Sequence, residues 1–242
     1  MRLDQLLVEL GLVETRQKAQ ARIMAGEVLV NEVPCTKAGT KIKPDSEIRL
    51  KGEDSPFVGR GGEKLEGALD YFKLNVEDLV ALDVGSSTGG FTDCLLQRGA
   101  QIVYAIDVGT NQLAHKLRTD ERVKCFEKTH VKDLARVNFE NKPNIVVVDV
   151  SFISLKKVVP FILPCIENNS KLLLLIKPQF ELSSSEIGKG GIVKDEKKSL
   201  EVLEELAIFF GSLDCKVEGS VPSQLKGRKS GNQEYFMLLS FG

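Results

Sequence analysis

Four charged residues stand where a folded chain needs a reason to keep them. Asp149 follows the apolar run 145–148, Lys177 follows 172–176 and precedes Pro178, and Glu234 opens the last apolar stretch. A charge at the end of a buried strand loses hydration and must be paired. Lys64 follows Arg60-Gly61-Gly62-Glu63 at the start of an amphipathic helix, which can present it at the same mouth. The fourth and fifth strands of a parallel sheet would be neighbours, so Asp149 and Lys177 are expected to face one crevice. Two amines and two carboxylates held together can take the proton from a weakly acidic hydroxyl, such as a ribose 2′-hydroxyl. An amine does so only if part of it is neutral near pH 7, and burial beside a second ammonium favours that form. The carboxylates hold the amines in place and partly offset the effect, so the set titrates as one. An ordinary ion-pair network at a sheet edge explains any one of the four alone.

Their coincidence with a glycine-rich turn favours chemistry. Asp83-Val84-Gly85-Ser86-Ser87-Thr88-Gly89-Gly90-Phe91 follows the first strand of the expected sheet and opens a helix. Small residues there let the backbone approach a ligand at the strand's carboxyl end, where doubly wound sheets bind cofactors. Asp107 ends the second strand, a position suited to ribose hydroxyls. The G-x-G-x-x-G fingerprint of dinucleotide sites is absent, because Ser86, Ser87 and Thr88 separate Gly85 from Gly89. An acid ahead of the first glycine instead resembles motif I of class I methyltransferases, whose cofactor carries no phosphate. Methyl transfer is an in-line displacement at a sulfonium carbon and depends on positioning more than on covalent catalysis.

The elements that must place these residues are legible as rhythm. Leu3, Leu6, Leu7 and Leu10 repeat at helical spacing up to Gly11; Thr15 is a candidate N-cap for a second helix through Met24, stopped by Gly26. Short strands are expected at 28–30 and 47–50, with a turn at Asn31-Glu32. Residues 51–58 read as a connection, giving units at 1–54 and 59–242 joined by 55–58. Alternating strands (80–84, 102–107, 123–126, 145–150, 171–177) and helices (90–98, 111–117, 155–167, 196–211) follow, with last strands near 214–221 and 234–240. Near-continuous apolar strands imply a sheet covered on both faces. The expected fold is therefore α/β, a mostly parallel Rossmann-like methyltransferase sheet with an antiparallel edge, preceded by a small α+β domain.

The stretches Val58-Gly59-Arg60-Gly61-Gly62-Glu63-Lys64-Leu65, Asp149-Val150-Ser151-Phe152-Ile153-Ser154-Leu155, Ile176-Lys177-Pro178-Gln179-Phe180-Glu181 and Gly231-Asn232-Gln233-Glu234-Tyr235-Phe236 resemble the TlyA family. That family belongs to the FtsJ-like 2′-O-methyltransferases and long carried the label hemolysin A. The resemblance spans essentially the whole chain. It implies that Lys64, Asp149, Lys177 and Glu234 are a catalytic tetrad with Lys177 as the central base. It also implies S-adenosylmethionine as cofactor, held by Asp83, Gly85, Ser86, Ser87, Thr88, Gly89, Gly90, Phe91, Asp107, Val108 and Asp133, and a cytidine ribose in ribosomal RNA as substrate. Compact members point to the large subunit, while longer forms also act on the small one, which stays a possible target. His130 stands where many relatives carry Asn.

Residues 14–31 resemble the small RNA-binding domain first seen in ribosomal protein S-four, with Glu32 where relatives usually have Gly. The formal charge of the chain is −1, and residues 1–58 carry nine Lys/Arg against nine Asp/Glu. Any RNA contact must therefore rest on local clusters. Arg16, Lys18, Arg22 and Lys41 are candidates there, as are Arg60, Lys189, Arg228 and Lys229 in the second unit; Phe152 and Phe180 could stack on bases. Five scattered cysteines without a C-x-x-C pair, and only two histidines, argue against a metal site and fit a reducing cytosol. No signal peptide or spanning segment is visible, so a cytoplasmic protein is expected; it is read as a monomer, and the resemblance implies the ribosomal subunit as its partner. Two other readings are an RNA-binding assembly factor without catalysis, which a complete tetrad argues against, and a membrane-active hemolysin, which no segment supports.

Overall fold

A computed structural model describes the chain except Glu32, Pro44, Asp45, Glu47, residues 51–54, Lys189, Lys194, residues 228–230 and the side chain of Arg49. Met1–Asp54 and Ser55–Gly242 form two compact units. The first holds helices α1 (Leu3–Glu9) and α2 (Arg16–Met24) and strands β1 (Val28–Val30), β2 (Val33–Cys35) and β3 (Ile48–Leu50). The sheet is antiparallel in the order β2-β1-β3. Thr15 caps α2 by accepting the Lys18 N–H at 3.2 Å. Leu3, Leu7, Ala19, Ile23 and Val28 make the core. Sequence reasoning did not foresee β2, whose Pro34 lies on the outer strand opposite Leu29, where a missing N–H is tolerated.

The second unit contains α3 (Gly61–Phe72), β4 (Val80–Val84), α4 (Gly90–Gln97), β5 (Ile102–Ile106), α5 (His115–Arg118), β6 (Val123–Phe126), β7 (Ile145–Val148), α6 (Val159–Ile162), β8 (Lys171–Ile176), α7 (Pro178–Glu181), α8 (Glu196–Gly211), β9 (Cys215–Pro222) and β10 (Tyr235–Phe241). Its seven-stranded sheet has the order β6-β5-β4-β7-β8-β10-β9. The pairs from β6 to β8 are parallel; β10 runs antiparallel between β8 and β9. Successive residues serve opposite faces. Leu172, Leu174 and Ile176 pack with α6 and α8, while Leu173 and Leu175 pack with Leu65 and Leu69 of α3 and Leu95 of α4. Two covered faces are why these strands are apolar without alternation.

The helix expected at 155–167 is instead a 3₁₀ turn at Leu155–Lys157, the short α6 and a second 3₁₀ turn at Leu163–Cys165. Pro160 and Pro164 each sit in the first turn of one piece. A proline further inside would lose a hydrogen bond and clash with the preceding turn, so the chain restarts at each. The helix expected at 111–117 shrinks to α5. Residues 55–58 are packed onto the second unit: Phe57 is buried in its core, Val58 N–H donates to Asp93 Oδ2 at 2.8 Å, and Gln97 donates to the Pro56 carbonyl at 3.0 Å.

Candidate active site

Strand order reverses between β4 and β7, which opens a crevice at the carboxyl ends of the strands. The glycine-rich turn lines it. Gly85 has φ 87° and donates its N–H to the Ile106 carbonyl at 2.9 Å. A side chain on Gly85 would collide with the carbonyl oxygen of Asp149, whose own N–H donates to Val84 at 3.0 Å. The turn after β4 and the residue after β7 are therefore in backbone contact. Gly89, at φ 96°, precedes α4 and leaves room for Leu113 and Leu117.

Asp83 is fully buried. Its Oδ2 accepts the Thr92 hydroxyl at 2.6 Å, whereas its Oδ1 is buried with no hydrogen-bond partner among the described residues. Burial above all, aided by repulsion from Asp149 and Asp107 and opposed by the Thr92 hydrogen bond, pushes this carboxyl up to about 7. Asp107 accepts the N–H groups of Ser87 at 2.8 Å and Gly109 at 2.6 Å. Ser87 adopts the left-handed conformation, φ 48°, and its hydroxyl donates to Gln112 at 3.2 Å. Ser86 is buried and Val108 is exposed. Thr88 accepts the Ala114 N–H through its carbonyl, fastening the far side of the turn. Gly90 lies against the backbone of Gly61 and Gly62. Phe91 points into the core against Phe236, at a ring separation of 6.1 Å, and supports the turn from beneath. Asp133 pairs with Arg136 at 3.0 Å and sits in a 3₁₀ turn capped by His130.

The four charged residues form two ion pairs. Lys177 Nζ lies 2.5 Å from Asp149 Oδ1 and donates to the Val150 carbonyl and the Ser151 hydroxyl, both at 3.1 Å. Lys64 Nζ donates to Glu234 Oε2 at 2.6 Å; the acid is buried and the lysine side chain keeps 13% of its surface exposed. Tyr235 pairs with Ile176 across β10 and β8, so Glu234 and Lys177 leave the sheet one rung further along at the same end. Beside them Phe152, 89% exposed and at φ 64°, packs against Phe180 at an interplanar angle of 47°, with ring centroids 4.9 Å apart. Ser151 and Glu181 were not singled out from sequence. Both lie inside the quoted family-like stretches, where residue type alone did not separate them from their neighbours.

In the first unit, Arg16 pairs with buried Asp4 at 2.8 Å, and Arg2 pairs with the same carboxylate at 2.9 Å. Hydrogen bonds from Arg2, and then from Gln20 and Arg16, hold Asp4 well below the usual carboxylate range. Lys18 pairs with Glu14 at 2.6 Å, Lys41 is exposed and bridges Arg2 through the backbone, and Arg22 is half-buried. Arg60 is exposed just before α3. Lys189, Arg228 and Lys229 lie outside the described residues.

Comparison with known proteins gives concordant matches. The model of the FtsJ-like methyltransferase family matches residues 57–241, and that of the S4 domain matches residues 1–48. A candidate rRNA methyltransferase of Bacillus subtilis is 45% identical over 98% of this chain and 85% of its own length. The 16S/23S rRNA (cytidine-2′-O)-methyltransferase TlyA of Mycobacterium tuberculosis is 38% identical over 98% of this chain and 89% of its own. A solved structure of a candidate hemolysin from Streptococcus thermophilus superposes with a TM-score of 0.78 at 41% identity, covering all of this chain and 88% of that one.

Proposed function

Because this chain belongs to the FtsJ-like methyltransferase family, we propose that it methylates the 2′-hydroxyl of a cytidine in ribosomal RNA, with the large subunit favoured. The reading rests on one observation: the Lys177–Asp149 pair stands in backbone contact with the glycine-rich turn. The residues of the turn fit S-adenosylmethionine. Asp83 offers a buried oxygen that lacks a partner, glycines at 85 and 89 clear space, and Asp107 presents a carboxylate for ribose hydroxyls. Ser86, Ser87, Thr88, Gly90 and Val108 would complete the wall, with Asp133 on the adenine side. Bound there, the cofactor supplies an electrophilic methyl group on a sulfonium.

The protein's own groups do the rest. Lys177 is the group that accepts the proton of the 2′-hydroxyl; Asp149, Val150 and Ser151 fix its nitrogen. Lys64, held by Glu234, orients the same hydroxyl from the other side. General-base assistance of this kind contributes typically 10²–10⁴-fold. Phe152, resting on Phe180, offers a stacking surface for a base, worth about 1–3 kcal/mol. Residues 1–54 form the RNA-binding domain, connected by 55–58 to the methyltransferase domain at 59–242. Arg16, Lys18, Arg22, Lys41 and Arg60, together with Lys189, Arg228 and Lys229, engage phosphates. The protein works as a cytoplasmic monomer without a metal.

The test is Lys177→Ala. Methyl transfer to ribosomal RNA is expected to fall by about 10² or more, with RNA affinity retained. Transfer at the parent rate would refute the assignment of the base.

A further inference from the structure

The loop from Asp149 to Leu155 is fastened at both ends by residues of one short neighbouring segment. Its near end is gripped by Lys177, through Asp149, Val150 and Ser151. Its far end is gripped by Glu181, four residues on. Glu181 Oε2 accepts the Ser154 hydroxyl at 2.6 Å and Oε1 accepts the Leu155 N–H at 2.9 Å. The side chain of Glu181 is largely withdrawn from water. Burial raises its pKa, while those two hydrogen bonds and Lys156 act in the opposite direction. Ser154 in turn accepts the Lys156 N–H at 3.2 Å and caps the 3₁₀ turn that follows. At the crown of this arch sits Phe152, in the left-handed conformation that a side chain rarely adopts and almost wholly exposed. A strained, exposed residue persists only where its surroundings over-determine it. Here the neighbouring constraint is the pair of fastenings.

We propose that Glu181 is a positioning residue for the methyl acceptor: it braces the far end of the Asp149–Leu155 arch and so fixes the crown beside Lys177, without touching the cofactor or the reacting atoms. The proposal rests on the RNA methyltransferase reading for its kinetic consequence, but its structural half can be read separately. The chain contains no tryptophan, so Phe152→Trp places a single reporter at the crown of the full-length protein. Adding Glu181→Ala is expected to lower the steady-state anisotropy of that reporter and to abolish protection of the Leu155 amide from hydrogen exchange. Adding Glu181→Gln, which keeps an acceptor for that N–H, is expected to preserve both.

In the parent background, Glu181→Ala should raise KM for ribosomal RNA or lower kcat by about tenfold, less than the roughly 10²-fold that a 1 Å misplacement of the reacting groups can cost. S-adenosylmethionine affinity should be unchanged, and Glu181→Gln should recover most of the loss. If Glu181→Ala does not fold, Ser154→Ala loosens the same brace from its other partner and is expected to shift the RNA KM in the same direction. Unchanged anisotropy and exchange in Glu181→Ala, or in Ser154→Ala where that variant stands in, would overturn the brace. A loosened crown with unaltered RNA kinetics would overturn its role in positioning. Absence of methylation by the parent protein, with the spectroscopic changes intact, would strike the functional reading and leave the brace standing.

Discussion

Replacing Asp83 by Asn removes a titration from the deepest carboxyl of the sheet, and the structure fixes its sign. In the folded chain this group holds its proton up to about 7, against 3.8 for the ordinary side chain. Between those two values the native state binds more protons than the unfolded state, so stability falls as pH rises through the window and stays lower above it. A difference of about 3 units corresponds to about 4 kcal/mol. Asn does not titrate and can still accept the Thr92 hydroxyl. Its amide N–H groups replace an oxygen that lacks a partner, at a pH-independent cost of about 1–3 kcal/mol. The stability of Asp83→Asn minus that of the parent should therefore rise by about 4 kcal/mol between pH 4 and pH 8. Urea unfolding followed by tyrosine fluorescence measures it, because Tyr71, Tyr104 and Tyr235 all lie in the second unit. A difference that stays flat within about 1 kcal/mol across that range would refute the claim that burial governs this carboxyl.

Gly85→Ala forces a Cβ against the Asp149 carbonyl at a backbone conformation that favours glycine. It should lower the thermal midpoint and abolish cofactor binding by calorimetry; parent-like affinity would separate the turn from Asp149. Phe152→Ala should leave the thermal midpoint within about 1 °C, because the ring is exposed. It should also weaken turnover on ribosomal RNA by about 5- to 150-fold, the equivalent of one lost base stack. A steep loss of stability would instead make Phe152 a packing residue.

The parallel sheet was readable because both of its faces are buried, which leaves five apolar runs with a charge or turn at the end of each. The two ion pairs were approachable for the same reason: a lysine or an acid terminating such a run has few places to go. Less was visible where the signal lies in a partner rather than in the residue itself. Phe91 reads as part of a small-residue ligand turn, yet it packs on Phe236, 145 positions later. Pro160 and Pro164 break a helix whose apolar spacing is sound. Asp4 and Glu181 are ordinary acids in sequence, and their significance comes from the groups that converge on them. Residues 55–58 carry the composition of a connector, but Phe57 docks where Gly62 leaves room and Asp93 waits for the Val58 N–H.

The bond between Lys64 and Glu234 joins positions 170 residues apart, and the acid is delivered by the last strand, which inserts between two others rather than adding at the rim. Closing so long a loop is entropically late in any folding sequence. The second amine therefore finds its counter-charge only after the chain has been made through position 234. On the proposed mechanism, a fragment that stops short of β10 would lack Glu234 and would also leave β8 and β9 without the strand that pairs with both.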